Sequence, residues 1–223
     1  MPLKTNTYAQ VRSNMQPGDI IAFGGKGAFS DVIKFATSSG VSHVGVVFES
    51  KVVIGSVVQP GHIVDVMEST TISYKGGKAI SGVQRNRLSD HVDYYDGQIW
   101  WLPLSAKVRK ALDVAQFIDF LLHQTNKPYD MPQAILSALD ATDRVTPQGW
   151  LTHNREDFGK FFCSELVAAA LEAGGAIKKI NSAEVTPIDL CNFSIYAPDY
   201  IQIKGLKRAI KGHNATNPEG WGE

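Results

Sequence analysis

Among the side chains of this sequence that can act as nucleophile, acid or base, one cysteine stands out by its setting. Cys163 lies in Phe161-Phe162-Cys163-Ser164-Glu165-Leu166-Val167, at the point where the apolar pattern becomes helical. A thiol in the first turn of a helix feels the positive end of the helix dipole and lies among N–H groups with no intrahelical partner. Both favour the thiolate, and the same N–H groups can hold the oxyanion of an acyl transfer. Free cysteines are also common as small buried apolar residues, and position alone does not separate the two readings. A cysteine nucleophile needs a base, usually histidine. The candidates are His43, His62, His91, His123, His153 and His213. His43 heads the β-branched run Val41-Ser42-His43-Val44-Gly45-Val46-Val47, where strand alternation fixes the side to which its imidazole points. A strand histidine can equally serve packing. His62 and His91 read as turn residues, His153 as part of a polar loop and His213 as part of the tail. His123 ends a helix, where charge–dipole attraction accounts for it.

A third group would orient the imidazole. Glu68 closes the run Ile63-Val64-Asp65-Val66-Met67. If that strand returns antiparallel to the His43 strand, Glu68 arrives level with His43; a solvent-facing strand end is the competing reading. Asp65 and Glu49 lie farther along their strands from His43.

These residues need elements to position them. Pro17-Gly18-Asp19 reads as a turn leading into a short buried strand, Ile20 to Phe23. Gly24, Gly25 and Gly27 form a loop with neither the Walker nor the dinucleotide-binding spacing, so it reads as a plain turn. Ser30 caps a helix through Thr37. Val41 to Phe48, Val52 to Val58 and Ile63 to Met67 read as a β-meander, and Ile99 to Leu102 as a further strand. Val108, Leu112, Ala115, Ile118 and Leu122 make a helical stripe of about four turns. Pro132 to Leu139 is expected as a second helix and 141–160 as a long loop. Phe162 to Ala173 reads as a strong helix closed by Gly174-Gly175. The class is α+β, an antiparallel sheet packed against helices, in one domain over 1–211 with a flexible tail at 212–223.

Bulk properties narrow the partners. Lys plus Arg and Asp plus Glu both number 22, so the formal charge is zero and nothing global points to nucleic acid or an anionic membrane. Lys204, Lys207, Arg208 and Lys211 cluster locally and read as a solvated face. Two cysteines, Cys163 and Cys191, make no disulfide framework. The N-terminus lacks the apolar core of a secretory signal, and no run approaches the ~18 apolar residues of a membrane helix. The expectation is a soluble cytoplasmic protein without a signal peptide; action outside the cell would need a signal-independent export route. The oligomeric state is left open.

Three segments, Pro17-Gly18-Asp19-Ile20-Ile21, Phe29-Ser30-Asp31-Val32-Ile33-Lys34-Phe35-Ala36-Thr37 and Ser42-His43-Val44-Gly45-Val46-Val47, resemble the N-terminal half of the permuted NlpC/P60 hydrolases, the YiiX/YebB-like relatives of papain. Lys127-Pro128-Tyr129-Asp130 and Phe162-Cys163-Ser164-Glu165-Leu166-Val167 resemble the C-terminal half, in the family's order with histidine before cysteine. The resemblance implies a circularly permuted papain-like fold, with Cys163 as nucleophile, His43 as base, Glu68 as the orienting carboxylate and Tyr129 lining the substrate site. It implies acyl transfer without a metal or organic cofactor, on a peptide or peptidoglycan-like substrate. A lipid-directed thioesterase or acyltransferase and a non-catalytic binding module with the same fold are the alternatives. The related lecithin:retinol acyltransferase-like branch carries a different cysteine motif and a membrane anchor.

Overall fold

A computed structural model describes residues 2–25, 40–53, 61–71, 81–128 and 162–222. Its centre is a seven-stranded sheet in the order β1-β7-β6-β2-β3-β4-β5. The strands are β1 (Leu3–Thr5), β2 (Ile20–Gly25), β3 (His43–Val53), β4 (Gly61–Thr70), β5 (Gly82–Arg87), β6 (Gly97–Leu102) and β7 (Tyr200–Lys204). Neighbours run antiparallel except β1 and β7, which pair in parallel at one edge. Among the described residues the α-helices are α1 (Tyr8–Val11), α2 (Leu88–Tyr94), α3 (Ala106–Ala111), α4 (Val114–Gln124), α5 (Cys163–Ala173) and α6 (Pro187–Asn192).

Both faces of the sheet are covered, which explains why Ile20 to Phe23 is apolar throughout rather than alternating. Ile20, Ala22, Val44, Val46, Met67, Trp100 and Leu102 face one side with Leu166, Val167 and Ala170 of α5 and Phe117 and Leu121 of α4. Ile21, Phe23, Val47, Val64, Val66, Ile99 and Trp101 face the other, with Tyr8, Val11 and Met15 from the N-terminal segment and Leu88 and Tyr95. Small residues Ala168, Ala169 and Ala170 let α5 lie close against β3 and β4. At the start of β2, buried Asp19 accepts hydrogen bonds from Gln16 N, Trp101 Nε1 and Leu104 N at 2.9, 3.0 and 2.9 Å and pairs with Arg109. Those contacts tie the first turn to β6 and α3.

The strand of His43 is longer than the pattern predicts. It runs through Val53, so Val52 and Val53 continue β3 instead of opening a new strand. A bulge between Val47 and Glu49 shifts its register against β4. The single helix expected over Val108 to Leu122 is two. Asp113 accepts hydrogen bonds from Ala115 N and Gln116 N at 3.0 and 3.1 Å and so starts α4 afresh. The apolar stripe continues across the break, which is why periodicity alone merges the two helices. Gly175, with φ +72°, closes α5, and Ala176 N returns to Leu171 O at 2.8 Å. The segment read as a loose tail is packed through residue 222: Asn214 Oδ1 accepts from Tyr196 N at 3.1 Å, and Trp221 lies edge-on to Phe193 with centroids 5.4 Å apart. The helices expected at 29–37 and 132–139, and the loop 141–160, lie outside the described residues.

Candidate active site

Cys163, His43 and Glu68 come from α5, β3 and β4, and the fold brings them together. Phe162, extended at φ −96° and ψ 171°, is the N-cap of α5, which makes Cys163 the first helical residue. The Phe162 N–H is taken by Glu165 Oε2 at 3.4 Å, and Ser164 Oγ donates to Val185 O at 2.6 Å, which fastens the helix start to the neighbouring turn. His43 opens β3, opposite Phe23 of β2, and its ring packs on the Phe23 ring at 5.2 Å.

Glu68 is not at a strand end. It lies inside β4, which continues to Thr70, and it is fully buried. Its Oε2 is 2.5 Å from His43 Nε2. A local reason for this approach is Gly45, on the same face of β3 as His43 and two residues on. A Cβ there would stand 2.5 Å from Val66 Cγ1 and 3.2 Å from Glu68 Cβ, so the missing side chain leaves the space Glu68 occupies. Oε1 of Glu68 accepts from Asn86 Nδ2 of β5 at 2.8 Å and meets His91 Nε2 of α2 at 2.7 Å.

Burial alone would strip the proton from His43. Electrostatic attraction and hydrogen bonds to Cys163 and to the Glu68 carboxylate outweigh that and push its pKa up to about 10. Burial likewise opposes a charge on Glu68, but His91 and His43 hold its carboxyl well below the usual carboxylate range. An ionised carboxylate only accepts hydrogen bonds, so the Nε2 atoms of both histidines donate to it. Nδ1 is then the nitrogen His43 turns to Cys163. The second cysteine, Cys191 on α6, is wholly buried, and burial followed by the charge of Asp189 pushes its thiol up.

The other candidates resolve differently. His91 belongs to α2 rather than a turn and is 1% exposed. His62 pairs with Ser50 Oγ at 2.5 Å, and exposed His123 bonds to Asp119 O at 2.8 Å. His213 stacks on Tyr196 and Tyr200. Asp65 and Glu49 both pair with Arg85 and lie away from His43. Tyr129 and His153 fall outside the described residues, although Lys127, two positions before Tyr129, is fixed by its carbonyl to Val83 N at 2.8 Å. Sequence reasoning did not single out Asn86 or Tyr95, and it set His91 aside as a turn residue. The Tyr95 hydroxyl is hydrogen-bonded to Ser42 and the Gly25 backbone. Burial, and after those bonds the charges of Glu68 and Cys163, raise its pKa to about 12.

No protein-family model matches this chain, and no curated protein matches it. Among solved structures it is similar to the metalloprotein YiiX of Escherichia coli O157:H7, of family DUF1105, at 19% identity and a TM-score of 0.43. The similarity covers 72% of this chain and 66%, just under two thirds, of that one. Among the described residues no group of three or more His, Cys, Asp or Glu side chains is arranged to hold a metal ion, and no helix is long and apolar enough to cross a membrane.

Proposed function

We propose that this chain is a cysteine hydrolase of the permuted papain-like kind that cleaves amide bonds through an acyl-enzyme. The observation that carries the reading is the line from buried Cys163 through His43, whose side chain is 13% exposed, to buried Glu68, drawn from three separate elements. In the proposed cycle the Cys163 thiolate attacks the substrate carbonyl. N–H groups of the first turn of α5 face the oxyanion. Collapse of the tetrahedral intermediate breaks the C–N bond, and His43 gives the Nδ1 proton to the departing amine. His43 then takes a proton from water, which attacks the thioester carbonyl and releases the acid and the thiol. An amine is a poor leaving group unless protonated, and the imidazolium, still held by the Glu68 carboxylate once the sulfur has bonded to carbon, supplies that proton. This favours an amide over a thioester, whose thiolate leaves without such help.

The substrate proposed is a peptide amide of the peptidoglycan-stem type. Wild-type protein and Cys163→Ala are incubated with purified peptidoglycan and, in parallel, with acyl esters and thioesters, and the products are read by mass spectrometry. New amine and carboxyl termini from peptidoglycan, absent with Cys163→Ala, support the reading. Turnover of acyl esters alone would replace it with a lipid-directed one. No turnover of either class, with an unreactive Cys163, would leave a binding module.

A further inference from the structure

Glu68 is gripped on both oxygens. His43 holds Oε2 at 2.5 Å; His91 and Asn86 hold Oε1 at 2.7 and 2.8 Å. The two imidazoles also share one wedge, since the Phe23 ring lies 5.2 Å from His43 and 4.9 Å from His91. We propose that His91, together with Asn86, is a positioning residue that keeps the Glu68 carboxylate ionised and turned toward His43, and so sustains the Cys163–His43 pair. The proposal rests on the hydrolase reading above and goes beyond its three residues.

The physical need is specific. A carboxylate with no exposed surface has no water to solvate it, and one hydrogen bond does not satisfy its lone pairs. Without donors on Oε1, Glu68 either takes up a proton or rotates to find another partner, and in both cases His43 loses its anchor. His91 and Asn86 supply those donors from the helix α2 and from β5, which directly precedes it. The side chain of His91 is 1% exposed, so its imidazole is spent on this interior. An apolar side chain would fill the volume but leave Oε1 short of a donor. Among the described residues, the ionisable groups facing the site are Cys163 from α5, His43 from β3, Glu68 from β4 and His91 from α2. Tyr95, hydrogen-bonded to Ser42, also feels Glu68 and Cys163.

The test follows the His43 proton directly and needs no substrate. Protein labelled with ¹³C and ¹⁵N at histidine is titrated by NMR, with His43→Ala assigning the resonance. The variants are His91→Phe, His91→Gln, whose amide can donate to Oε1, and Asn86→Ala. In the wild type His43 is expected to keep its proton into the alkaline range. His91→Phe should lower its midpoint by about one pH unit or more, a tenfold change in the proton concentration at which it titrates. His91→Gln should restore most of the loss, and Asn86→Ala should move the midpoint the same way by less. A folded His91→Phe with its midpoint at or above the wild-type value overturns the proposal, because His91 would then only fill space or draw charge from Glu68. Failure of His91→Gln to restore the midpoint overturns it too. If His91→Phe does not fold, half-buried Asn86 carries the same test: no downward shift in Asn86→Ala overturns the joint role. A wild-type His43 that titrates in the ordinary histidine range would instead sink the ion-pair reading of the hydrolase itself.

Discussion

Glu68→Gln is the substitution on which the arrangement bears most sharply, because glutamine keeps the shape and changes only what each end can donate. Its carbonyl can replace Oε1, where Asn86 Nδ2 and His91 Nε2 lie at 2.8 and 2.7 Å. Its NH₂ then faces His43 Nε2, which sat 2.5 Å from Oε2. An NH₂ only donates, so a neutral His43 must accept at Nε2 and carry its proton on Nδ1, the atom that should receive the thiol proton. The imidazolium also loses a charge-assisted hydrogen bond of about 2–3 kcal/mol, which corresponds to roughly a 30- to 150-fold fall in rate. Because Glu68 is buried in mid-strand rather than at a strand end, a loss of about 1–3 kcal/mol in stability accompanies it. Rates are therefore compared well below the variant's melting temperature, in the peptidoglycan assay, and the protonation of each His43 ring nitrogen is read from imidazole ¹⁵N shifts. A variant with the wild-type rate and a His43 still protonated on Nε2 would refute the reasoning. A variant whose His43 stays protonated on Nε2 but whose rate is reduced would show that Glu68 acts through its charge alone.

Three further outcomes are expected. Iodoacetamide labelling of the folded protein should disappear in Cys163→Ala and persist in Cys191→Ala, and Cys191 should react only on unfolding, since it is buried and its thiol is pushed up. His43 has its pKa raised from 6.5 to about 10 in the folded protein, so its contribution to stability is full below about 6.5 and lost as pH rises through about 10. Chemical denaturation across that window should show a decline in the wild type that His43→Ala lacks. Gly45→Ala places a Cβ 2.5 Å from Val66 Cγ1 and 3.2 Å from Glu68 Cβ, so it should cost about 1–3 kcal/mol and lower the NMR midpoint of His43 by displacing Glu68; unchanged values of both would mean that β4 moves aside freely.

Local pattern carries local structure, and it is there that the sequence was informative. The β-branched run around His43, the buried strand from Ile20 and the glycine-closed helix beginning at Cys163 all depend on periodicity, capping and propensity within a few residues. They appear as β3, β2 and α5. The break at Leu112–Asp113 was hidden because an apolar stripe can cross a cap without interruption. The stretch from Gly82 to Asp96 reads as polar and unremarkable, yet it supplies β5, α2, Asn86, His91 and Tyr95. Its charged and amide side chains reveal nothing until their partners are in place, since an imidazole or carboxylate is buried only when another group satisfies it.

The sequence by itself therefore determined the candidate nucleophile and base and the kind of element that carries each. Tertiary structure alone decided that positions 43, 68, 86, 91 and 163 meet. Strand order and register are set by pairings between distant segments, including the antiparallel alignment of β3 with β4 and of β4 with β5. A shift of one residue between β3 and β4 would turn Glu68 to the face away from His43, and one between β4 and β5 would turn Asn86 away from Glu68.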